Sequence, residues 1–171
     1  MALLPDTKDW TWVLERRCPE CGFDATALSG NEVSAVLADN AVQWRIRMSA
    51  DDVRLRKLED VWSPLEYACH VRDVLALAQE RILLMLNHEH PAFANWDQDA
   101  TAIAARYELQ DPDLVAQELL SRASELVELL DAIEPPSWSR SGVRSNGSIF
   151  TIDSFARYML HDVVHHLYDV D

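Results

Sequence analysis

The feature that most constrains the fold is a helix start signal followed by a long apolar stripe at helical spacing. Ser63, Pro64 and Glu66 match the N-cap, N1 and N3 positions of a capping box, in which the Ser and Glu side chains satisfy free backbone amides of the first turn. The helical pattern continues to about Asn87, shortly before Pro91. A helix this long must bury its apolar stripe against other elements, which favours a helical domain.

Three further segments show helical periodicity of similar length. The first covers residues 31–47, the third follows an N-cap and proline at Asp111–Pro112 and continues to about Ile133, and the fourth begins near Thr151 and continues to the end. A short helix is expected at residues 99–106.

Four amphipathic helices with long connections predict an all-α fold, a four-helix bundle that is not simply up-down-up-down. Only four of the 171 residues are glycine, which also disfavours a sheet rich in tight turns. We expect one domain over residues 1–171, with an irregular N-terminal segment at 1–30. Apart from a short hairpin near Asn146–Gly147, we expect no β-structure.

The charge balance argues against several classes of partner. Fifteen basic and 29 acidic residues give a net charge of −14, and no basic run is longer than Arg16–Arg17. Nucleic acids and anionic membrane surfaces need a basic patch, so neither is expected as a partner. The N-terminus has no signal-peptide pattern and the cysteine count is odd, at three, so we expect a cytoplasmic protein with reduced thiols.

The fourth long helix carries the most distinctive chemistry, the run from His161 to His166. It contains two pairs with i,i+4 spacing, His161/His165 and Asp162/His166, and each pair is separated by about 40° around a helix. Asp162 and His166 fall at the border of the apolar stripe, whereas His161 and His165 fall nearly opposite. Ligands between bundle helices belong at the edge of the core, so we select Asp162/His166.

His70 lies at the corresponding edge of the second long helix, with Glu66 one turn earlier. We therefore expect the first, second and fourth long helices to converge on a divalent-metal site with His70, Asp162 and His166 as ligands. Glu66 is expected to accept a hydrogen bond from His70 and to orient its imidazole. This donor set suits zinc or nickel, with iron and manganese as alternatives, and leaves a coordination position open.

Two other motifs allow different interpretations. Cys18-Pro19-Glu20-Cys21 matches half of a zinc ribbon or a redox pair. It supplies only two ligands, and Cys69 is the one other thiol, so we expect reduced thiols that are not needed for metal binding. His161-Asp162-x-x-His165 resembles the H-E-x-x-H helix of zinc proteases. On a helical wheel, His161 and His165 face away from the core, which disfavours a protease.

The segment Trp62–Asp73 and the tail His165–Val170 resemble the two metal-binding motifs of the DinB/YfiT-like metalloenzyme family. The resemblance implies that His70, the residue at position 162 and His166 are the ligands. Family members commonly have His at the middle position, or Glu in the related mycothiol-dependent maleylpyruvate isomerases, whereas this chain has Asp162. Because Asp is shorter, its contact with the ion is expected to run through water.

The same resemblance implies a DinB-like four-helix bundle, a homodimer, a nickel or zinc ion and a low-molecular-weight thiol such as mycothiol, bacillithiol or glutathione. The leading hypothesis is a thiol-dependent S-transferase acting on a small electrophile, and a metal-dependent hydrolase is the second. Tyr158 and Arg157 are candidates for the rim of the site. The competing hypothesis is a non-catalytic dimeric module that binds a metal or a small molecule.

Overall fold

A computed structural model describes residues 10–171 of the chain. Within that range five α-helices form, and the four long ones begin and end close to the predicted residues. Pro64 opens α2 behind a complete Ser63/Glu66 capping box, and Thr151 caps the last helix. The helices are α1 (Val33–Arg47), α2 (Pro64–Asn87), α3 (Gln98–Ala104), α4 (Pro112–Asp131) and α5 (Ile152–Val170).

The four long helices form a bundle in which α1 and α2 each pack against both α4 and α5. This arrangement places α1 and α2, which are consecutive among the long helices, at opposite corners. The core between them is apolar, and its largest members include Trp44, Leu75, Ile82 and Leu126, each almost completely shielded from solvent. The predicted four-helix bundle with crossover connections is therefore confirmed.

A small sheet closes one end of the bundle. The predicted hairpin is present, with strands β2 (Ser141–Arg144) and β3 (Ile149–Thr151) paired antiparallel around a turn where Gly147 has a φ of +90°. The expectation of nothing beyond a hairpin was wrong, because β1 (Ala92–Phe93) pairs parallel with β2. A two-residue strand is too short for sequence periodicity to reveal.

Residues 10–32 form three short 3-10 helices that pack along the outer face of α5, at Thr11–Leu14, Ala25–Ala27 and Gly30–Glu32. Arg157 of α5 donates to the carbonyl oxygen of Ala25 at 2.9 Å, and Asp153 of α5 accepts from the amide of Gly30 at 2.6 Å. The segment is thus tied to α5 at two points. Among residues 10–171, no helix is long and apolar enough to cross a membrane.

Candidate metal centre

Three donor side chains meet where α2 passes α5. His70 lies in the first half of α2, and Asp162 and His166 lie one turn apart on α5. One ligand atom from each residue lies within 4.8 Å of the other two. Nε2 of His70 is 3.3 Å from Oδ2 of Asp162, and Nε2 of His166 is 3.5 Å from Oδ1 of the same carboxylate. The carboxylate therefore contacts both imidazoles.

Several polar atoms of this cluster are buried without a hydrogen-bond partner. Both ring nitrogens of His70 and Oδ2 of Asp162 make no hydrogen bond with any residue in the described range, although Nε2 and Oδ2 approach each other. An unsatisfied buried polar group costs about 1–3 kcal/mol. A cation shared by the carboxylate and the two rings would satisfy Nε2 and Oδ2 together. Two imidazoles and a carboxylate are suitable ligands for zinc, nickel, iron or manganese, so the residues fit a divalent ion.

The charges within the cluster set its protonation. Burial lowers the pKa of His70, which favours its neutral form despite the nearby Asp162. Burial alone would raise the pKa of Asp162, but the close contacts and charges of His166 and His70 outweigh it and lower that pKa. Burial alone would lower the pKa of His166, but the contacts with Asp162 and Asp169 outweigh it and raise that pKa to about 9. Without an ion, His166 and Asp162 form an ion pair.

Neighbouring side chains fix both imidazoles. Nδ1 of His166 is 3.0 Å from Oδ2 of Asp169, so this carboxylate orients the ring through the nitrogen that does not face Asp162. The indole of Trp96 stacks on His70 with ring centroids 5.3 Å apart and planes 16° apart. Tyr67 packs against His166 at a centroid separation of 4.9 Å.

The cluster borders an open cleft of about 560 Å³, and Asp162 and His166 both contribute to its wall. A smaller cavity of about 130 Å³ adjoins His70 and Asp162. The cleft has the size of a small-molecule site. Trp96, Tyr158 and Arg144 line both spaces, so a ligand in the cleft would lie beside the three donor residues.

Two guanidinium groups line the smaller cavity. Arg81 is 8% exposed and donates to the carbonyl oxygen of Ala94, and Arg144 donates to the side-chain oxygen of Asn95, both at 2.9 Å. Nε of each arginine is buried and has no partner among the described residues. Burial and the charge of Arg144 lower the pKa of Arg81 to about 10. Both partners are neutral oxygens, so this wall keeps positive charge that could hold an anionic group.

Comparison with known proteins identifies the family. The family model described as the DinB superfamily matches residues 35–170. The chain belongs to the DinB superfamily. Among solved structures it is similar to YfiT from Bacillus subtilis, described as a probable metal-dependent hydrolase with an unusual four-helix bundle topology. That likeness has a TM-score of 0.73 and 17% identity over 82% of this chain and 85% of YfiT, which shows a shared fold. No curated protein matches the chain.

Two predicted features of the DinB site need correction. The three donors come from α2 and α5 alone, and α1 contributes no residue to the cleft or the smaller cavity. Glu66 does not orient His70, because its carboxylate accepts two hydrogen bonds from Arg56 and others from Ser63. Arg56 lies in the irregular α1–α2 connection, where no sequence pattern indicates its partner. Asp169 is the carboxylate that orients the ring of a donor residue, His166, and sequence reasoning missed it although it lies within the tail motif.

His161 and His165 lie apart from the three donor residues, on a face of α5 that is turned from the apolar stripe but is nevertheless buried. They are only 3% and 7% exposed, because residues 10–32 cover this face of α5. The protease-like motif does not form a site, since Asp162 lies with His70 and His166 rather than with His161 and His165. Of the two rim candidates, Tyr158 lines the cleft, whereas Arg157 binds Asp153 and the N-terminal segment.

Arg81, Arg144 and Trp96 were not selected from the sequence. Arg81 carried a usable signal, because it lies at helical spacing from Val74, Ala78 and Met85 in the apolar stripe of α2. A charged residue in such a stripe must find a polar environment inside the fold. Arg144 and Trp96 lie in connections without periodicity, and nothing in the sequence predicted their position.

Proposed function

We propose that this DinB-superfamily chain is a divalent-metal-dependent enzyme that acts on a small molecule in the cleft beside His70, Asp162 and His166. The observation that carries the proposal is the convergence of three donor residues, with unsatisfied buried ligand atoms, beside an open cleft whose wall includes Asp162 and His166. Three protein ligands with a position left for water or substrate are typical of catalytic rather than structural metal sites.

The chemistry we propose is transfer of a low-molecular-weight thiol to an electrophile. A divalent ion bound by the three residues would lower the pKa of a thiol or water in its open position and so supply a nucleophile at neutral pH. The thiolate sulfur would then bond to the electrophilic carbon, the leaving group would depart with its electron pair, and the thiol proton would go to solvent. Resemblance to thiol-dependent DinB-like enzymes supports the thiol as nucleophile.

The cationic wall supports a substrate or thiol with an anionic group. Arg81 and Arg144 present buried guanidinium nitrogens without partners among residues 10–171, and both line the cavity that adjoins His70 and Asp162. Glutathione-type and bacillithiol-type thiols carry carboxylates that such groups bind well. Asp169 would keep His166 in position, and Trp96 would exclude water from the buried face of His70.

Hydrolysis is the second candidate, in which water replaces the thiol as nucleophile at the same position. The description of YfiT as a probable metal-dependent hydrolase favours it. The geometry of the donor residues is the same for both reactions. They differ in whether turnover requires an added thiol.

The test is an assay of protein loaded with zinc, nickel or manganese against small electrophiles, with each of several thiols and without thiol, and against activated esters. We expect metal-dependent turnover that requires a thiol, lost in His166→Ala and retained in His88→Ala, a matched change at an exposed histidine. Metal-dependent ester cleavage without thiol would identify the hydrolase instead. Tight metal binding with no turnover of any substrate would contradict the enzyme and favour the binding module.

A further inference from the structure

A second group of metal-ligating side chains lies on the face of α5 adjacent to the one that carries Asp162 and His166. Cys18 and Cys21 from the N-terminal segment and His161 and His165 from α5 each bring one ligand atom within 4.8 Å of the others. We propose that these four residues form a structural zinc site that fastens the N-terminal segment to α5. Two thiolates and two imidazoles with no open position are a common donor set of structural zinc.

The spacing of the ligand atoms agrees with a tetrahedral ion. Sγ of Cys18 is 3.7 Å from Nδ1 of His165. Two ligands on one zinc, with Zn–S and Zn–N bonds of normal length at a tetrahedral angle, are separated by ~3.6 Å. The two cysteines are three residues apart and the two histidines four, the spacings at which a tight turn and a helix each present two ligands to one ion.

The turn that carries the cysteines is built to hold both sulfurs on one side. The amide of Cys18 donates to the carbonyl oxygen of Phe23 at 2.8 Å, and the amide of Gly22 donates to that of Cys18 at 3.0 Å. Gly22 has a φ of +76°, a conformation that other residues rarely adopt. All three cysteines are free thiols, so Cys18 and Cys21 remain available as ligands.

The surroundings of the histidines favour an ion as well. Nε2 of His165 faces Oε2 of Glu20 at 3.3 Å and Oδ1 of Asp169 at 3.6 Å, which leaves Nδ1 directed at Cys18. A metal-bound histidine commonly donates its other ring nitrogen to a carboxylate in this way. Nε2 of His161 is buried and has no hydrogen-bond partner among the described residues. A zinc ion would account for an orphaned nitrogen that nothing else in the described part of the chain explains.

Most of the site is shielded from solvent, which argues for a structural role, although His161 and His165 also border the open cleft. Cys18, His161 and His165 are buried, and the rings of Trp10, Trp12 and Phe23 lie within 6.5 Å of the His161 ring. Both cysteines precede residue 35, where the DinB match begins, so half of the ligands lie outside the family-matched region. The proposal replaces the expectation that Cys18 and Cys21 are not needed for metal, and it does not depend on the proposed enzymatic function.

The first experiment measures metal content in protein purified without an affinity tag and dialysed against a weak chelator. We expect one zinc per chain that persists in His166→Ala and is lost in Cys18→Ser, Cys21→Ser and His161→Ala. His166→Ala is the matched control because it changes the histidine next to His165, which belongs to the other group of donors. Retention of this zinc in all three ligand variants would overturn the proposal.

A second experiment uses the unaltered protein, so it does not depend on variants that fold. Replacing zinc with cobalt should give the intense visible bands of a tetrahedral ion and a thiolate-to-cobalt charge-transfer band. Removal of the metal by a strong chelator should speed trypsin cleavage after Arg16 and Arg17. A cobalt spectrum without thiolate charge transfer, or a cleavage rate that chelation does not change, would contradict the site. A disulfide between Cys18 and Cys21 in freshly purified protein would show a redox pair instead.

Discussion

The metal-free centre formed by His70, Asp162 and His166 should hold one proton that an incoming ion has to displace. His166 faces Asp162 through Nε2 at 3.5 Å and Asp169 through Nδ1 at 3.0 Å. Burial lowers its pKa, but the two carboxylates raise it to about 9. Burial keeps His70 neutral by lowering its pKa, and the lowered pKa of Asp162 keeps that group ionised. At pH 7 the exchangeable proton of this site therefore lies on His166.

The size of the effect follows from the pKa of His166. A ligand must be deprotonated to bind a metal, so binding below pH 9 releases about one proton per ion. Apparent affinity should rise about tenfold per pH unit between about pH 6.5 and 8.5 and level off above about 9. At pH 7, two units below the pKa, the proton weakens binding about 100-fold relative to the deprotonated site.

Isothermal titration with Mn²⁺, in pairs of buffers that differ in ionisation enthalpy, counts the protons directly. Mn²⁺ is suitable because it prefers oxygen and nitrogen ligands to the thiolates of Cys18 and Cys21. Asp169→Asn is the control, since loss of one carboxylate lowers the pKa of His166 and should reduce proton release at pH 8. Release of no proton at pH 7 would refute the ion pair, and release of two would show that His70 is charged as well.

Three further predictions concern the donor residues, Glu66 and Arg81. His70→Ala and His166→Ala should each abolish tight metal binding at the centre, Asp162→Ala should weaken it less, and Asp162→His should strengthen it, as equilibrium dialysis would show. Glu66→Gln should lower the free energy of unfolding in urea by about 2 kcal/mol through its bonds to Arg56 and Ser63, with metal affinity unchanged; a large loss of affinity would restore Glu66 as an orienting group. Arg81→Met should raise KM for an anionic substrate at least about tenfold and change kcat less. We also propose a homodimer through α1, where Val42 and Ile46 are 50% and 60% exposed; a sedimentation mass of 19.5 kDa would contradict it.

The sequence predicted the elements whose signals are local. The Ser63/Glu66 capping box and Asp111–Pro112 mark helix starts because the backbone amides of a first turn need partners wherever the helix lies. The grouping of Asp162 with His166 was also predictable, because residues four apart on a helix keep a fixed relative position. Their juxtaposition with His70 required the packing of α2 on α5, which the apolar stripes of both helices indicated.

The features that sequence reasoning missed depend on contacts between distant segments without periodicity. Cys18 and His165 are 147 residues apart, and the 3-10 turns that carry the cysteine segment over α5 have no repeating apolar pattern. Arg56, in the connection between α1 and α2, donates to the carboxylate of Glu66. Glu66 is therefore not available to accept a hydrogen bond from His70, as the sequence had suggested. A helical wheel reports only which face of a helix is apolar, and α5 is covered on a second face that is mostly polar.

The N-terminal segment, residues 10–32, covers this second face of α5 and explains why the helix carries two adjacent i,i+4 pairs with different partners. Neighbouring residues on a helix are rotated by about 100°, so His161/His165 and Asp162/His166 face different directions. Reading His161, Asp162 and His165 as one motif combines residues from both faces. A rotation of α5 by one residue would remove Asp162 from His70 and bring His161 or His165 toward it. Contacts with the Cys18/Cys21 turn and contacts with His70 therefore both depend on the rotation of α5 about its own axis. A zinc clamp on His161 and His165 would hold α5 in the rotation that keeps Asp162 and His166 at the cleft.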